Sequence, residues 1–359
     1  MGVKTVVTIR EVARAAEVSI ATVSRVFNDS ASVTAETSRR VRAAAQRLDY
    51  WPHTGARSLT TSRTHAIGVL LPDLFGEFFS EVIRGIDHGA RAEQLQILVS
   101  SSHAHTDDIV AAARSLRGRI DGLIAMVPEK GSSARVRQIA RRFPVVLLNP
   151  RQRVEGCASV AISNFDGAFA IVQHLIATGH YEIAILKGPD GNVDAEERLR
   201  GYQEALAAAG LKPRPALEID GDFTESAGYR GGAALLAGPT RPTAVFACND
   251  YMAIGLLGAL NDAGVDVPGD MAVAGFDDIA MARYVSPPLT TVHVDAYELG
   301  ERAARALISR LQAPQGTRPE NAVLPATLVV RSSCGSSQVV AADAREGFTS
   351  SRRSHSFRS

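Results

Sequence analysis

The stretch TIREVARAAEVSIATVSRVFN, from Thr8 to Asn28, decides how the chain is read. Thr8 and Glu11 form a T-x-x-E capping box, and Ile9, Val12, Ala13 and Ala16 then share one helical face. Glu17 and Val18 make a turn. Ser19 then caps a second helix that points Val23 and Val26 inward and Ile20, Ala21, Thr22 and Arg25 outward. A third amphipathic helix is predicted from Ala35 to Leu48, capped by Thr34, with Val41, Ala44, Ala45 and Leu48 on one face. Three such helices bury a small core and leave the outer face of the second for a partner.

Charge points to the kind of partner. Residues 1–65 hold ten Lys or Arg against five Asp or Glu, a net of +5, while the whole chain carries +1, so the rest carries −4. An ordinary bundle with a solvated charged face explains the helices but not the gathering of cations at one end. Neutralisation of DNA phosphates explains both. Arg25 can pair bidentately with a guanine, whereas Ile20 and Ala21 can read only by apolar contact, most simply with a thymine methyl group.

Beyond residue 65, apolar runs alternate with helical stretches: AIGVLL (66–71), LQILVS (95–100), GLIAMV (122–127) and PVVLL (144–148), with helices near 77–93, 106–117 and 132–142. The alternation resumes with IAIL (183–186), TAVFA (243–247) and MAVAGF (271–276). Nearly continuous apolar strands separated by helices imply parallel sheets covered on both faces, and the length suits two lobes. Such sheets bind ligands beyond the carboxyl ends of their strands. Asp73, Asn149, Asn249, Asp250, Asp277 and Asp278 all follow predicted strands, and Asp250 is read as the cap of a helix at 251–263.

The run V-S-x-x-T-V-S-R-V-x-N, Val18 to Asn28, resembles the helix-turn-helix of the LacI/GalR family of bacterial transcription regulators. YWPHTGARSL, Tyr50 to Leu59, resembles that family's Y-x-P-N-x-x-A-R-x-L, with His53 in place of Asn. GHYEIAILKGP (179–189), ERLRGY (197–202), RPTAVFACND (241–250) and SPPLTTVH (286–293) resemble its effector-binding core. The resemblance implies an N-terminal all-α helix-turn-helix domain over residues 1–50 and a hinge helix and linker over 51–65. It implies next a two-lobed α/β domain, like periplasmic binding proteins and with parallel sheets, for effector binding and dimerisation over 66–335. The Ser- and Arg-rich tail, 336–359, has no apolar heptad and is read as disordered. The hinge is expected to fold only against DNA and a second subunit, with Leu59 wedged into the minor groove; a plain linker is the alternative.

Carried over position by position, the resemblance implies DNA contacts from Thr8, Ser19, Ile20, Ala21, Thr22, Ser24, Arg25, Asn28, Arg57 and Leu59. It implies effector contacts from Asp73, Phe78, Phe79, Asn149, Arg198, Phe223 and Asp277, with Arg198 and Asp277 as a donor fork and an acceptor for vicinal hydroxyls. A structural salt bridge is the alternative for Arg198, and core packing for one of Phe78 and Phe79. Two departures stand out. Ser163 replaces the family's Asp before Asn164, and Asp194, Glu196 and Glu197 make a loop acidic, which suits a neutral or cationic effector better than a phosphorylated one.

The expected function is a sequence-specific DNA-binding transcriptional regulator, a repressor, whose operator affinity is set by a small-molecule effector, expected to be a sugar. Expected partners are double-stranded operator DNA with an inverted repeat, the effector and a second copy of the chain. The alternative is a solute-binding module without specific DNA readout. Met1 to Arg10 lacks the apolar segment of a secretion signal, and no run nears the roughly 18 apolar residues of a membrane span, so a cytoplasmic location is expected. Cys157, Cys248 and Cys334 lack metal-like spacing, His103 and His105 lack a third ligand, and there is no nucleophile elbow or phosphate loop. No cofactor, metal or enzymatic activity is expected.

Overall fold

The computed structural model describes residues 7–27, 32–51, 63–102, 106–127, 133–314 and 318–335. Helix α1 (Ile9–Ala15) starts at the expected box, where the Glu11 carboxylate accepts from the Thr8 N–H at 2.7 Å and the Thr8 hydroxyl at 3.0 Å. It ends because Glu17 takes a left-handed φ of 51°, which brings the Val18 N–H onto the Ala13 carbonyl at 3.0 Å. Ser19 Oγ then accepts from the Thr22 N–H at 3.0 Å and opens α2 (Ile20–Phe27). Thr34 Oγ1 caps α3 (Ala35–Arg47) through the Thr37 N–H. Val12, Ala13, Ala16, Val23, Val26, Val41, Ala44 and Ala45 form the common core.

Six parallel strands build the first sheet: β1 (Ala66–Leu71), β2 (Gln96–Ser101), β3 (Gly122–Met126), β4 (Val145–Leu148), β5 (Ala158–Ile162) and β11 (Asn321–Leu324). Their order is β11-β5-β4-β3-β1-β2. Side chains alternate between two buried faces, as strands covered on both sides must. Ile67, Val69, Leu71, Ile124 and Val146 face α4 (Glu77–Ala92) and α11 (Ala296–Gln312), while Leu70, Leu123, Ala125, Val145 and Leu147 face α5 (Thr106–Ser115) and α6 (Ser133–Ala140). Helices α4 and α11 cross with their backbones touching. A Cβ at Gly85 would stand 2.0 Å from the Tyr297 carbonyl oxygen, and one at Gly300 2.1 Å from that of Val82.

The second sheet has four parallel strands in the order β7-β6-β8-β9: β6 (Ile183–Leu186), β7 (Glu218–Ile219), β8 (Ala244–Ala247) and β9 (Ala272–Ala274). It packs with α7 (Asn164–Ala177), α8 (Val193–Ala208), α9 (Glu225–Ala237) and α10 (Asp250–Asp262). β10 (Thr291–His293) and β12 (Thr327–Val329) pair antiparallel beside it. The chain crosses between lobes at 162–164, 294–296 and 324–327, and the Ser163 N–H donates to the Leu324 carbonyl where two crossings meet. The first lobe is thus completed by residues that come after the whole second sheet.

Two expectations are corrected. The second strand runs 96–101 rather than 95–100, because Leu95 still belongs to the helix end: Gln94 is left-handed (φ 56°) and the Leu95 N–H donates to the Ala90 carbonyl. Asp250 does not cap α10. Asn249 Oδ1 accepts from the Met252 N–H, and Asp250, fully buried, takes the Ile279 N–H and the Thr291 hydroxyl instead.

Candidate DNA-reading surface and effector cleft

On α2, Val23 and Val26 are buried, while Ile20, Ala21 and Arg25 are exposed and Thr22 and Ser24 half-exposed. Ile20 stands 46% open to solvent. The helix N-terminus, with Ser19 holding the Thr22 N–H, therefore presents small and apolar side chains and one guanidinium. Thr8 is exposed at the start of α1 and tied up with Glu11, whose carboxyl is held below the ordinary range chiefly by the Thr8 N–H. Asn28, Arg57 and Leu59, and most of the expected hinge, lie outside the described residues, as do His103, His105 and the tail.

The second site lies at the carboxyl ends of both sheets. Arg198, only 4% exposed, is its centre. Nε donates to Asn164 Oδ1 at 2.8 Å, Nη1 donates to the Cys248 carbonyl, and the guanidinium lies 3.8 Å from the Phe276 ring centre and 5.8 Å from that of Phe223. Its Nη2 is 3.1 Å from Asp277 Oδ1, yet the N–H is not aimed at that oxygen, which lacks a hydrogen bond altogether. Asn164 Nδ2 donates to Asp194 Oδ1 at 2.9 Å, and Asn149 Nδ2 reaches Asp194 Oδ2 at 3.3 Å from the other lobe. Asn149 Oδ1 accepts from the Ile162 N–H at 2.8 Å. A continuous polar chain, Asn149–Asp194–Asn164–Arg198–Asp277, thus crosses the cleft.

One cation serves two buried carboxylates here, and the electrostatics follow. Burial pushes Asp277 up to about 6; Arg198 opposes the rise and Asp194 adds to it. Asp194 is likewise raised by burial against the pull of Arg198, Asn149 and Asn164. Asp250, just behind, is raised well above its ordinary value by burial and by Asp277. Backbone strain also gathers here: Asn149 (φ 42°), Phe223 (φ 69°) and Asp277 (φ 109°) are left-handed without being glycine.

The other expected residues sit at the edge. Asp73 is exposed, and its Oδ1 accepts from the Leu74 and Phe75 N–H groups of its own loop. Phe78 and Phe79 meet edge to face at 5.3 Å and are half-buried against the core. Phe223 packs over Gly188, where a Cβ would come within 2.4 Å of its ring. At the rim, the Glu77 N–H donates to Tyr251 Oη at 2.9 Å while Glu77 Oε1 accepts from the Ala280 N–H at 2.8 Å, and Arg151 pairs with Glu196. Sequence reasoning missed Asn164 and Phe276 as parts of the site and read Asp194, Glu196 and Glu197 as an acidic loop, whereas the Asn192 side chain caps a helix there and all three stand on the first turns of α8. The four-residue spacing of Asp194 and Arg198 on one helix, which puts both on one face, was the available signal.

A parallel two-lobed body with a polar chain across its cleft, joined to a helix-turn-helix, defines a ligand-responsive DNA-binding protein. Residues 8–53 match the model for bacterial regulatory proteins of the lacI family, and residues 172–334 that of a periplasmic binding protein-like domain. The ribose operon repressor of Escherichia coli (strain K12) is 36% identical over 311 residues, covering 86% of this chain and 94% of that protein. The lac repressor dimer bound to operator and the anti-inducer ONPF superposes with a TM-score of 0.82 at 31% identity, covering 92% of this chain and 99% of that one. A complex of the transcriptional regulator CelR with cellobiose gives 0.69 at 31% identity, covering 91% and 99%. The chain belongs to the LacI family and is a DNA-binding transcriptional regulator. Among the described residues no helix is long and apolar enough to cross a membrane, and no three His, Cys, Asp or Glu converge to hold a metal.

Proposed function

We propose that the protein is a dimeric repressor, non-enzymatic and cytoplasmic, released from an inverted-repeat operator by a sugar bound between the lobes. Residues 1–50 read DNA, 51–65 act as hinge, and 66–335 bind effector and partner. The observation that carries the sugar assignment is the buried Arg198–Asp277 pair, continued through Asn164 and Asp194 to Asn149 on the opposite lobe. Donors and acceptors alternate along this line, which is the pattern vicinal hydroxyls satisfy, each donating once and accepting once or twice. Phe223 offers an aromatic face, and Asp73, Phe78 and Phe79 close the mouth. With Asp194 and Asp277 against one arginine, an anionic phosphate ester is disfavoured. The ribose and cellobiose in the names of two relatives agree with a sugar.

On α2, Arg25 reads a guanine and Ile20 and Ala21 take apolar contacts; Thr8, Ser19, Thr22 and Ser24 serve phosphates and the helix start, with Asn28, Arg57 and Leu59 completing the surface. Sugar binding stabilises one lobe arrangement, and reciprocity requires that the operator complex bind sugar more weakly, typically by about 1–3 kcal/mol. The test is selection of sites from a random duplex library at fixed salt, with ribose and cellobiose in parallel arms. An enriched inverted repeat that fades with either sugar is expected. Enrichment indifferent to every sugar tried, together with no heat of sugar binding, would overturn the effector assignment.

A further inference from the structure

Parallel strands give the first sheet two unlike ends. Its carboxyl ends carry the cleft, and its amino ends carry the segments that lead into β1, β3 and β4, residues 63–65, 116–121 and 141–144. The chain coming from the helical bundle enters at this amino end. Asp121 fastens it there: Oδ1 accepts from the Thr64 N–H at 2.6 Å and hydroxyl at 2.9 Å, and Oδ2 from the His65 N–H at 2.9 Å.

Arg114, Arg117, Arg119, Arg141 and Arg142 surround this anchor, all exposed. An open groove of about 520 Å³ runs past Arg63, Arg117, Arg141 and Arg142, and an adjoining hollow of about 330 Å³ shares Arg117, Arg142 and Phe143 and reaches Arg114. None of the five exposed arginines forms an ion pair among the described residues. Four arginines on α4 and α11 do otherwise: Arg84 pairs with Glu81, Arg91 with Asp87, Arg302 with Glu298 and Arg305 with Glu301. The nearest acid, Asp121, has both oxygens engaged by Thr64 and His65. The dipole at the end of α5 accounts for Arg114 in its last turn, but Arg119 and Arg142 lie past the helix ends.

We propose that this amino end of the first lobe is a second DNA-contacting surface, whose arginines meet the phosphate backbone flanking the operator. Residues 66–359 carry −4 overall and as a body are repelled by DNA, so arginines gathered about a groove whose one lining acid is Asp121 make a locally positive strip where the chain enters from the bundle. From Trp51 in the bundle to Arg63 the chain spans at most about 40 Å even when fully extended. The end of the bundle that carries α2 is therefore held within about 40 Å of the groove. Exposed guanidiniums spread along an open groove suit an extended polyanion; a small anion is held by converging, buried donors. Such contacts carry no sequence information, so the surface adds affinity and salt dependence without changing the site preferred. The proposal rests on DNA reading by the bundle.

The test uses full-length protein and the inverted repeat selected from the random library, once in a duplex of about 20 bp covering only the two half-sites and once with about two further helical turns on each side. R117Q/R142Q is compared with the parent and with R117K/R142K, which keeps the charge. On the long duplex the glutamine variant is expected to bind more weakly, with a slope of log affinity against log salt shallower by about 0.9 per lost phosphate contact, up to about 3.6 for four arginines in a dimer. The lysine variant should follow the parent, and on the short duplex all three should agree. Equal slopes for glutamine variant and parent on the long duplex would overturn the proposal. So would a loss of the same size on both duplexes, which marks a structural role, or saturable binding of inorganic pyrophosphate in the groove with unchanged slopes. Failure of the unaltered protein to enrich any site defeats the reading of α2 first, and the proposal with it.

Discussion

Replacing Asp277 by asparagine should make the protein more stable in neutral solution, relative to its parent, than in acid. A carboxyl whose folded pKa lies above its unfolded value holds its proton more tightly in the folded state. Ionising it costs stability: nothing well below pH 3.8, the full amount above pH 6. The rise from 3.8 to about 6 is worth, at 1.36 kcal/mol per unit, about 3 kcal/mol. Roughly 2 kcal/mol of this develops between pH 4.5 and 7.5. Asparagine is isosteric and does not titrate. It also leaves Arg198 with fewer partners, but guanidinium stays charged throughout, so that penalty is the same at both pH values. The pH-dependent part of the difference therefore belongs to Asp277 and to the share of the Asp250 rise that Asp277 causes, which has the same sign. Urea denaturation of parent and Asp277→Asn at pH 4.5 and 7.5 measures it, and the difference in unfolding free energy should shift by about 2 kcal/mol in favour of the variant at the higher pH. Asp194 and Asp250 are raised too, so both proteins lose stability as pH rises through this window, the parent faster. An unchanged difference would refute the claim that Asp277 holds a proton near pH 5 in the folded protein.

Arg25→Ala should cost about 1–3 kcal/mol of discrimination between the selected operator and a scrambled duplex, while Arg10→Ala, exposed on α1, weakens both alike; competition binding separates the two. Arg198→Ala should abolish calorimetric binding of the sugar that releases the operator, since it leaves Asp194 and Asp277 buried without their cation, and unchanged affinity would remove Arg198 from the site. Gly300→Ala drives a methyl group into the Val82 carbonyl at 2.1 Å and should lower the unfolding free energy by about 1–3 kcal/mol or more, read from the urea midpoint.

Local chemistry was legible in the sequence, and long-range assembly was not. The Thr8–Glu11 box, the Ser19 and Thr34 caps and the apolar runs at 66–71 and 183–186 all stand where their residue patterns put them, because caps and strand periodicity depend on neighbours within a few positions. Asn249 and Asp250 show the limit of such reasoning. Either can cap a helix, and a register difference of one residue sends the aspartate into the core to hold Ile279 and Thr291, both distant in sequence. Asn164 was hidden for the same reason, whereas Asp194 had a local signal in its four-residue spacing from Arg198. Asn164 is an ordinary polar residue at a helix start whose meaning comes from Arg198 and Asp194, and the contact of Asp194 with Asn149 on the other lobe likewise exists only in the folded chain. The return of α11 and β11 to the first sheet left no local trace at all.

That return also governs how the protein comes off the ribosome. The bundle, 7–51, needs nothing downstream and can fold while most of the chain is still unmade. The first lobe must wait. Its outermost strand, 321–324, and the helix seated on Gly85 appear only after the entire second sheet has been synthesised. Until then β5 has a bare edge and α4 an uncovered flank, the kind of surface that recruits chaperones or pairs wrongly with another chain. A nascent chain interrupted after residue 295 would carry a folded DNA reader without a finished sensor. Such a fragment would keep the reading helix while lacking the finished lobe that has to respond to an effector.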